Sequence, residues 1–391
     1  MGACKSKVRA TPAAVGTDAG TDAPAAATEG VDWDALRADV LALMDSDAYD
    51  DGSYAPVLIR LGWHSAGTFD PAAAPPGGTN GGAGMRFAPE RDDPENAGLA
   101  VARDLLAPLR ARHPGCSFAD LWVLAAYCAL AHTGGPVIEF RGGRADAGAA
   151  GADADAGPGA GIAPGRLPQA EFGLGEGVDG EGRVAGWERL AQHLRDVFGR
   201  MGFGDREIVA LSCGGHVYGR CHPDRSGYAG AWVEAPTQFS NEYAADLIED
   251  EWMLCDHDTS VDGVRIPEDV RPAPGKRQYV GKWAPSEAEK ARGAPDPTEF
   301  DENGTRVVKQ QMMLVSDMVL LWDAAFREHL EVYAADESAL KRDFGAAFKK
   351  LCENGCEGTL RAGGGGCPFA HLHGKQKQAE AREPADSSSV S

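Results

Sequence analysis

Ala55-Pro-Val-Leu-Ile-Arg60-Leu-Gly-Trp63-His64 carries an apolar, uncharged run into a fixed cation, a large flat indole and a titratable imidazole. Arg60 and Trp63 are three residues apart, and Arg60 and His64 four, so on a helix all three project from one face. Burying such groups without partners is costly. A ligand that carries oxygen and develops negative charge satisfies all three. Taken by itself, the stretch also fits a helix whose Trp is core and whose Arg and His cap a surface.

A second imidazole appears in Ile208-Val-Ala-Leu-Ser-Cys-Gly-Gly-His216-Val-Tyr-Gly-Arg220-Cys-His222, and Trp232 follows sixteen residues after His216. A lone aspartate then interrupts the apolar run Met312-Met-Leu-Val-Ser-Asp317-Met-Val-Leu-Leu. Two His-bearing helices and a buried Asp suggest a haem held between them. One His would bind the iron and the other would face the open coordination site. Asp317 alone also fits a helix cap.

These segments resemble the class I haem peroxidases, the group of ascorbate peroxidases, cytochrome c peroxidases and catalase-peroxidases. The resemblance runs from about residue 50 to 355. Its most specific stretches are Arg60-Leu-x-Trp-His, Asn96-Ala-Gly-Leu, Gly165-Arg-Leu-Pro and His193-Leu-Arg-Asp-Val-Phe-x-Arg-Met-Gly. It implies a mostly α, two-lobed fold of about ten helices with haem b between the lobes. The implied activity is reduction of hydrogen peroxide to water through a ferryl state, with one-electron oxidation of a donor.

The resemblance also implies roles. His64 is the general base and acid, Asn96 hydrogen-bonds its far nitrogen, Arg60 stabilises charge as the O–O bond breaks, and Trp63 lies over the haem. His216 is the iron ligand. Asp317 accepts from its other ring nitrogen and from the indole of Trp232. His222 and Ser226 match positions that contact a haem propionate, with Arg220 near them.

Departures from the family pattern bear on the donor. Ser212-Cys213-Gly-Gly gives the longer spacing of the catalase-peroxidases before His216, but the loop 145–165 has no Tyr for the crosslink that catalase activity requires there. Arg225 matches the arginine that ascorbate peroxidases use for the ascorbate anion. The partner lysine falls at Gly52 and is lost. The potassium-site positions are Val217, Val233, Ala235 and Ser240, which lack the oxygens that a hard cation needs. Without that cation a Trp232 radical forms more easily, the mode of electron transfer from a basic cytochrome c. The preferred expectation is ascorbate, with cytochrome c or a dual-donor hybrid as the alternative. A membrane-tethered haem or peroxide sensor is a further alternative, prompted by Cys352, Cys356 and Cys367 and by the N-terminus.

The formal net charge of −21 argues against nucleic acid as a partner. Nine cysteines without paired spacing read as reduced thiols in the cytoplasm. Met1-Gly2-Ala-Cys4-Lys-Ser6 fits N-myristoylation at Gly2, with Cys4 placed for a second acyl chain and Lys5, Lys7 and Arg9 beside it. This predicts anchoring to the cytosolic face of a membrane. Residues 1–30 then form a disordered acylated tether, 31–170 an N-terminal lobe, 171–355 a C-terminal lobe, and 356–391 a disordered tail. Within the second lobe, 256–308 is longer than the corresponding family stretch and reads as a surface excursion with Tyr279 and Trp283 as anchors. Apolar periodicity predicts helices at Trp33–Met44, Ala55–Ala66, Ala97–Arg112, Phe118–His132, Trp187–Met201, Arg206–Tyr218, Asn241–Met253, Met318–Tyr333 and Glu337–Cys352. The Gly-, Ala- and Asp-rich residues 145–165 read as a mobile loop.

Overall fold

A computed structural model describes residues 30–147, 161–282, 284–285, 287–293 and 311–362. Gly2, Cys4 and the rest of the predicted tether up to residue 29, positions 148–160 of the Gly/Ala/Asp loop, Trp283, and the tail from 363 with Cys367 lie outside them. The described residues form eleven α-helices and a few short strands. In chain order the helices are α1 (Trp33–Leu41), α2 (Ala55–Ala66), α3 (Ala100–Arg112), α4 (Phe118–His132), α5 (Trp187–Arg200) and α6 (Asp205–His216). They continue as α7 (Glu242–Glu249), α8 (Glu287–Arg292), α9 (Val315–Trp322), α10 (Ala324–Ala335) and α11 (Glu337–Glu353). Among the described residues no helix is long and apolar enough to cross a membrane.

α4 is the hub. Its sequence is apolar on every side, and all but Phe118 and His132 are buried. Ser117 caps its start by accepting from the Asp120 amide at 3.0 Å. Asp146 accepts from the amides of Phe118 (3.1 Å) and Ala119 (2.9 Å). The buried Asp120 is paired with the buried Arg144, whose Nη2 also donates to the Cys352 carbonyl of α11 at 2.9 Å.

Both His-bearing helices are seated through a glycine two residues before the imidazole. A Cβ on Gly62 of α2 would lie 2.6 Å from Ala126 Cβ of α4. A Cβ on Gly214 of α6 would lie 2.3 Å from the Phe344 ring of α11. Only glycine permits either approach, so the pair of contacts fixes how deeply each His-bearing helix sits.

Several predicted helices differ by one to three residues at an end, and two differ more than that. The stretch Met318–Tyr333 is broken between α9 and α10, because Asp323 leaves helical geometry and accepts from the amides of Ala325 (3.1 Å) and Phe326 (3.2 Å). Arg195 holds that carboxylate in place at 2.7 Å. The stretch Asn241–Met253 is helical only to Glu249. Glu249, Asp250 and Glu251 gather negative charge at a helix C-terminus, where the macrodipole opposes it. The chain then extends as Trp252–Cys255, which pairs antiparallel with Gln278–Gly281, itself paired with Met312–Met313.

The first part of the 256–308 excursion is a packed substructure. Its hairpin, Ser260–Val261 with Val264–Arg265, closes over a small core of Cys255, Val264, Ile266, Val270 and Val280. Tyr279 anchors it, buried and donating to the Gly182 carbonyl at 2.7 Å.

Candidate functional site

A cavity of about 780 Å³ lies between α2 and α6. Arg60, Trp63 and His64 line it from α2, and His216 from α6, with Trp232 and Asp317 behind His216.

On the α2 side one short segment holds both polar residues. Arg60 Nη1 donates to the Ala97 carbonyl at 2.8 Å, and Nη2 to the Glu95 carbonyl at 2.7 Å. Asn96, between them, faces His64 Nδ1 with its Oδ1 at 3.0 Å. The Asn96 amide donates to the Glu90 carbonyl at 2.8 Å. That contact fixes which end of Asn96 meets the imidazole. His64 therefore carries its proton on Nδ1 and leaves Nε2 as an acceptor. Burial, and then the Arg60 charge, push the His64 pKa well below the usual histidine value, against the opposing effect of Asn96. The ring is neutral at neutral pH. Trp63 stacks on Phe198, with ring centroids 5.4 Å apart and planes 1° from parallel.

On the α6 side His216 Nδ1 lies 2.7 Å from Asp317 Oδ1. The Trp232 indole donates to Asp317 Oδ2 at 2.7 Å, and the Leu314 amide donates to the same oxygen at 2.7 Å. Asp317 is 1% exposed, so three donors answer a fully buried carboxylate. The His216 and Trp232 rings stack at 4.4 Å with planes 17° apart. With Nδ1 engaged, His216 presents Nε2 to the cavity.

The residues matched to propionate and donor contacts gather at one edge. His222 Nε2 lies 3.0 Å from Asp50 Oδ2, and Arg220 Nε donates to Asp51 Oδ2 at 2.8 Å. Arg225 donates to the Tyr49 hydroxyl at 3.2 Å and lies 3.7 Å from Asp50. Ser226 hydrogen-bonds the half-buried Cys221. Cys352 and Cys356 are buried free thiols.

The sequence reading did not find Tyr49, Asp50, Tyr243 or Lys276. Tyr243 is fully buried and meets the His216 ring edge-on at 5.8 Å. Tyr49 and Asp50 sit in an acidic stretch that looks like any solvated turn. No local spacing ties any of the four to His64 or His216; only tertiary packing does.

The donor set fits a haem. An apolar-walled slot separates two imidazoles, one neutral with a free acceptor nitrogen, the other backed by a carboxylate that makes it a strong metal ligand. The fold and site are those of a class I haem peroxidase. The family model described as Peroxidase matches residues 36–336, and the chain belongs to that family, with haem as its cofactor. It is 39% identical over 320 residues to the mitochondrial cytochrome c peroxidase of Aspergillus fumigatus, covering 82% of this chain and 69% of that one. It is 41% identical over 324 residues to a putative heme-binding peroxidase of Pyricularia oryzae, covering 83% and 87%. It is 38% identical over 313 residues to the mitochondrial cytochrome c peroxidase of Neurospora crassa, covering 80% of this chain and 68% of that one.

Proposed function

We propose that this haem peroxidase takes its electrons from a cytochrome c through Trp232. The observation that carries the reading is the Asp317 bridge. One carboxylate holds the His216 and Trp232 rings in a stack, a contiguous route from the indole to the ligand of the iron. The Val233, Ala235 and Ser240 side chains that follow favour the same reading, since a missing cation leaves an indole radical less disfavoured. So do the relatives named cytochrome c peroxidase. Ascorbate, preferred on sequence alone, becomes the second reading. Its supporting residue, Arg225, is already engaged by Tyr49 and Asp50.

Bound haem supplies the iron at which peroxide reacts and the store of oxidising equivalents; His216 would hold it. His64 Nε2 takes a proton from hydrogen peroxide and returns it to the departing oxygen. Arg60 steadies the negative charge that develops as the O–O bond breaks. Trp63 on Phe198 excludes bulk water. Two protons and two electrons complete conversion of one peroxide to two waters. Turnover of reduced cytochrome c and of ascorbate, in parallel, tests the reading. Cytochrome c oxidation that collapses in Trp232→Phe supports it, and fast ascorbate oxidation with inert cytochrome c overturns it.

For location, the Gly2 and Cys4 motif supports attachment to a cytosolic membrane face, whereas those cytochrome c peroxidase relatives are named mitochondrial. Myristate incorporation that disappears in Gly2→Ala would support the anchor; no incorporation into the wild-type chain would remove it.

A further inference from the structure

The excursion after Cys255 does more than cover the surface: it supplies part of the cavity wall. Ala273, Pro274 and Lys276 line the cavity together with Glu95 and Tyr228. Pro274 and Gly275 are exposed and Lys276 is half-buried, so this stretch is the cavity's rim.

The rim is built rigidly. Buried Gln278 clamps the Ala229 backbone on both sides, accepting from its amide at 2.9 Å and donating to its carbonyl at 2.7 Å. The Ala273 amide donates to the Gly227 carbonyl at 2.8 Å. Arg277 Nη1 donates to the Gly175 carbonyl at 3.1 Å, and its Nε lies 3.4 Å from Glu171 Oε2.

Lys276 then crosses Gly227. A Cβ there would lie 2.9 Å from Lys276 Cγ, so the missing side chain is the space its stem occupies. The ammonium ends 5.0 Å from the centre of the Tyr228 ring. Among the described residues it has no hydrogen bond and no ion pair. The nearby carboxylates are otherwise disposed. Glu171 accepts from the Tyr228 hydroxyl at 2.9 Å and faces Arg277. Glu95 feels the Lys276 charge only at longer range, and its burial works against ionisation. In a chain of net charge −21, a lysine held over a ring at a cavity mouth without a carboxylate partner is an anion-binding feature.

We propose that Lys276 is a specificity-determining residue that binds small organic anions, of the carboxylate or enediolate class, at the cavity mouth. The inference rests on the peroxidase cavity and not on cytochrome c as donor.

The test uses the haem-loaded full chain with Lys276→Ala, Lys276→Glu and Lys276→Arg. Equilibrium binding of benzoate, read from the haem absorption difference spectrum, should weaken about tenfold in Lys276→Ala, further in Lys276→Glu, and recover in Lys276→Arg. KM for ascorbate should rise in parallel with kcat little changed, while KM for guaiacol, a neutral donor, stays put. Benzoate affinity that is unchanged in Lys276→Glu overturns the proposal. So does faster haem transfer to apomyoglobin with donor effects that ignore charge, since Lys276 would then serve the haem carboxylates. Cytochrome c turnover in the same variants reports separately on the proposed donor.

Discussion

His64 Nδ1 and Asn96 Oδ1 lie 3.0 Å apart, and the amide of Asn96 is fixed on the Glu90 carbonyl, so the tautomer of the imidazole is set by a residue 32 positions away. The segment that carries Asn96 also holds Arg60 by two carbonyls. Base and cation are therefore positioned by one element.

The first prediction concerns pH. Burial and the Arg60 charge depress the His64 pKa, so the neutral base persists below the usual histidine range. The rate of reaction with peroxide should stay flat from neutral pH to well below 6.5 and fall only as pH drops through the depressed value. The same group destabilises the fold in acid, because the unfolded chain binds the proton more readily. His64→Leu should lower the peroxide rate by about 10²–10⁴-fold with haem still bound. Asn96→Leu should lower it less, by releasing the ring. Stopped-flow rates across pH check all three; a wild-type acid limb centred at or above 6.5 would contradict the electrostatics.

Asp317→Asn supplies the second. An amide oxygen can accept from only one of the His216 and Trp232 donors, and its NH2 would face the other. A buried donor–donor clash of this kind costs about 1–3 kcal/mol. Thermal stability should fall while haem remains bound. Oxidation of cytochrome c should fall more than the first reaction with peroxide, since the stack at 4.4 Å is what the bridge maintains. Equal losses in the two steps would argue against a route through Trp232.

Gly214→Ala tests how α6 is seated. Alanine gains about 1 kcal/mol in helix propensity. Its Cβ would, however, enter the Phe344 ring at 2.3–2.7 Å, and overpacking of this kind costs about 1–3 kcal/mol. Packing should win. The melting temperature should drop and haem affinity with it, because His216 is two residues further on. Phe344→Leu in the same chain should recover part of the loss, a non-additivity expected of touching residues. Additive losses would mean that the contact does not set the helix.

Much of this architecture was legible in the chain. α2 and α4 begin and end at the residues that the sequence pattern marks, because an apolar run with a clear cap, Ser117 for α4, leaves little choice. The Arg60, Trp63 and His64 face followed from spacing alone. The break at Asp323 was not legible. An aspartate inside an apolar run reads as a tolerated surface position until Arg195, from α5, is known to hold it. The stop of α7 at Glu249 was likewise hidden by apolar Trp252, Met253 and Leu254, which pair with Gly281, Val280 and Tyr279, 29, 27 and 25 residues downstream. Lys276 was invisible for the same reason: nothing near it in sequence says that its stem will lie across Gly227.

The donor has an electrostatic signature that separates its two candidates. A chain of net charge −21 attracts a basic cytochrome over distances greater than a contact, and acidic residues crowd the surface beyond Trp232. The Glu234 amide is held by Glu242 Oε1 at 2.6 Å, and Asp246 is pushed up to about 7 by burial and by Glu242, Asp250 and Glu249. Salt shortens the reach of such a field to about 10 Å at 0.1 M and about 3 Å at 1 M. Association with cytochrome c should therefore slow steeply as ionic strength rises. It should also slow as pH falls through 7, where Asp246 takes up its proton and the surface loses a negative charge. Ascorbate, an anion, is repelled by the same net charge but attracted by Lys276 at the cavity mouth, so its rate should depend on salt only weakly. Steady-state kcat/KM for each donor, from about 0.01 to 0.5 M salt, separates a steep fall for cytochrome c from a shallow dependence for ascorbate on this account. A cytochrome c rate indifferent to salt would sink the protein-donor reading, whatever Trp232→Phe does.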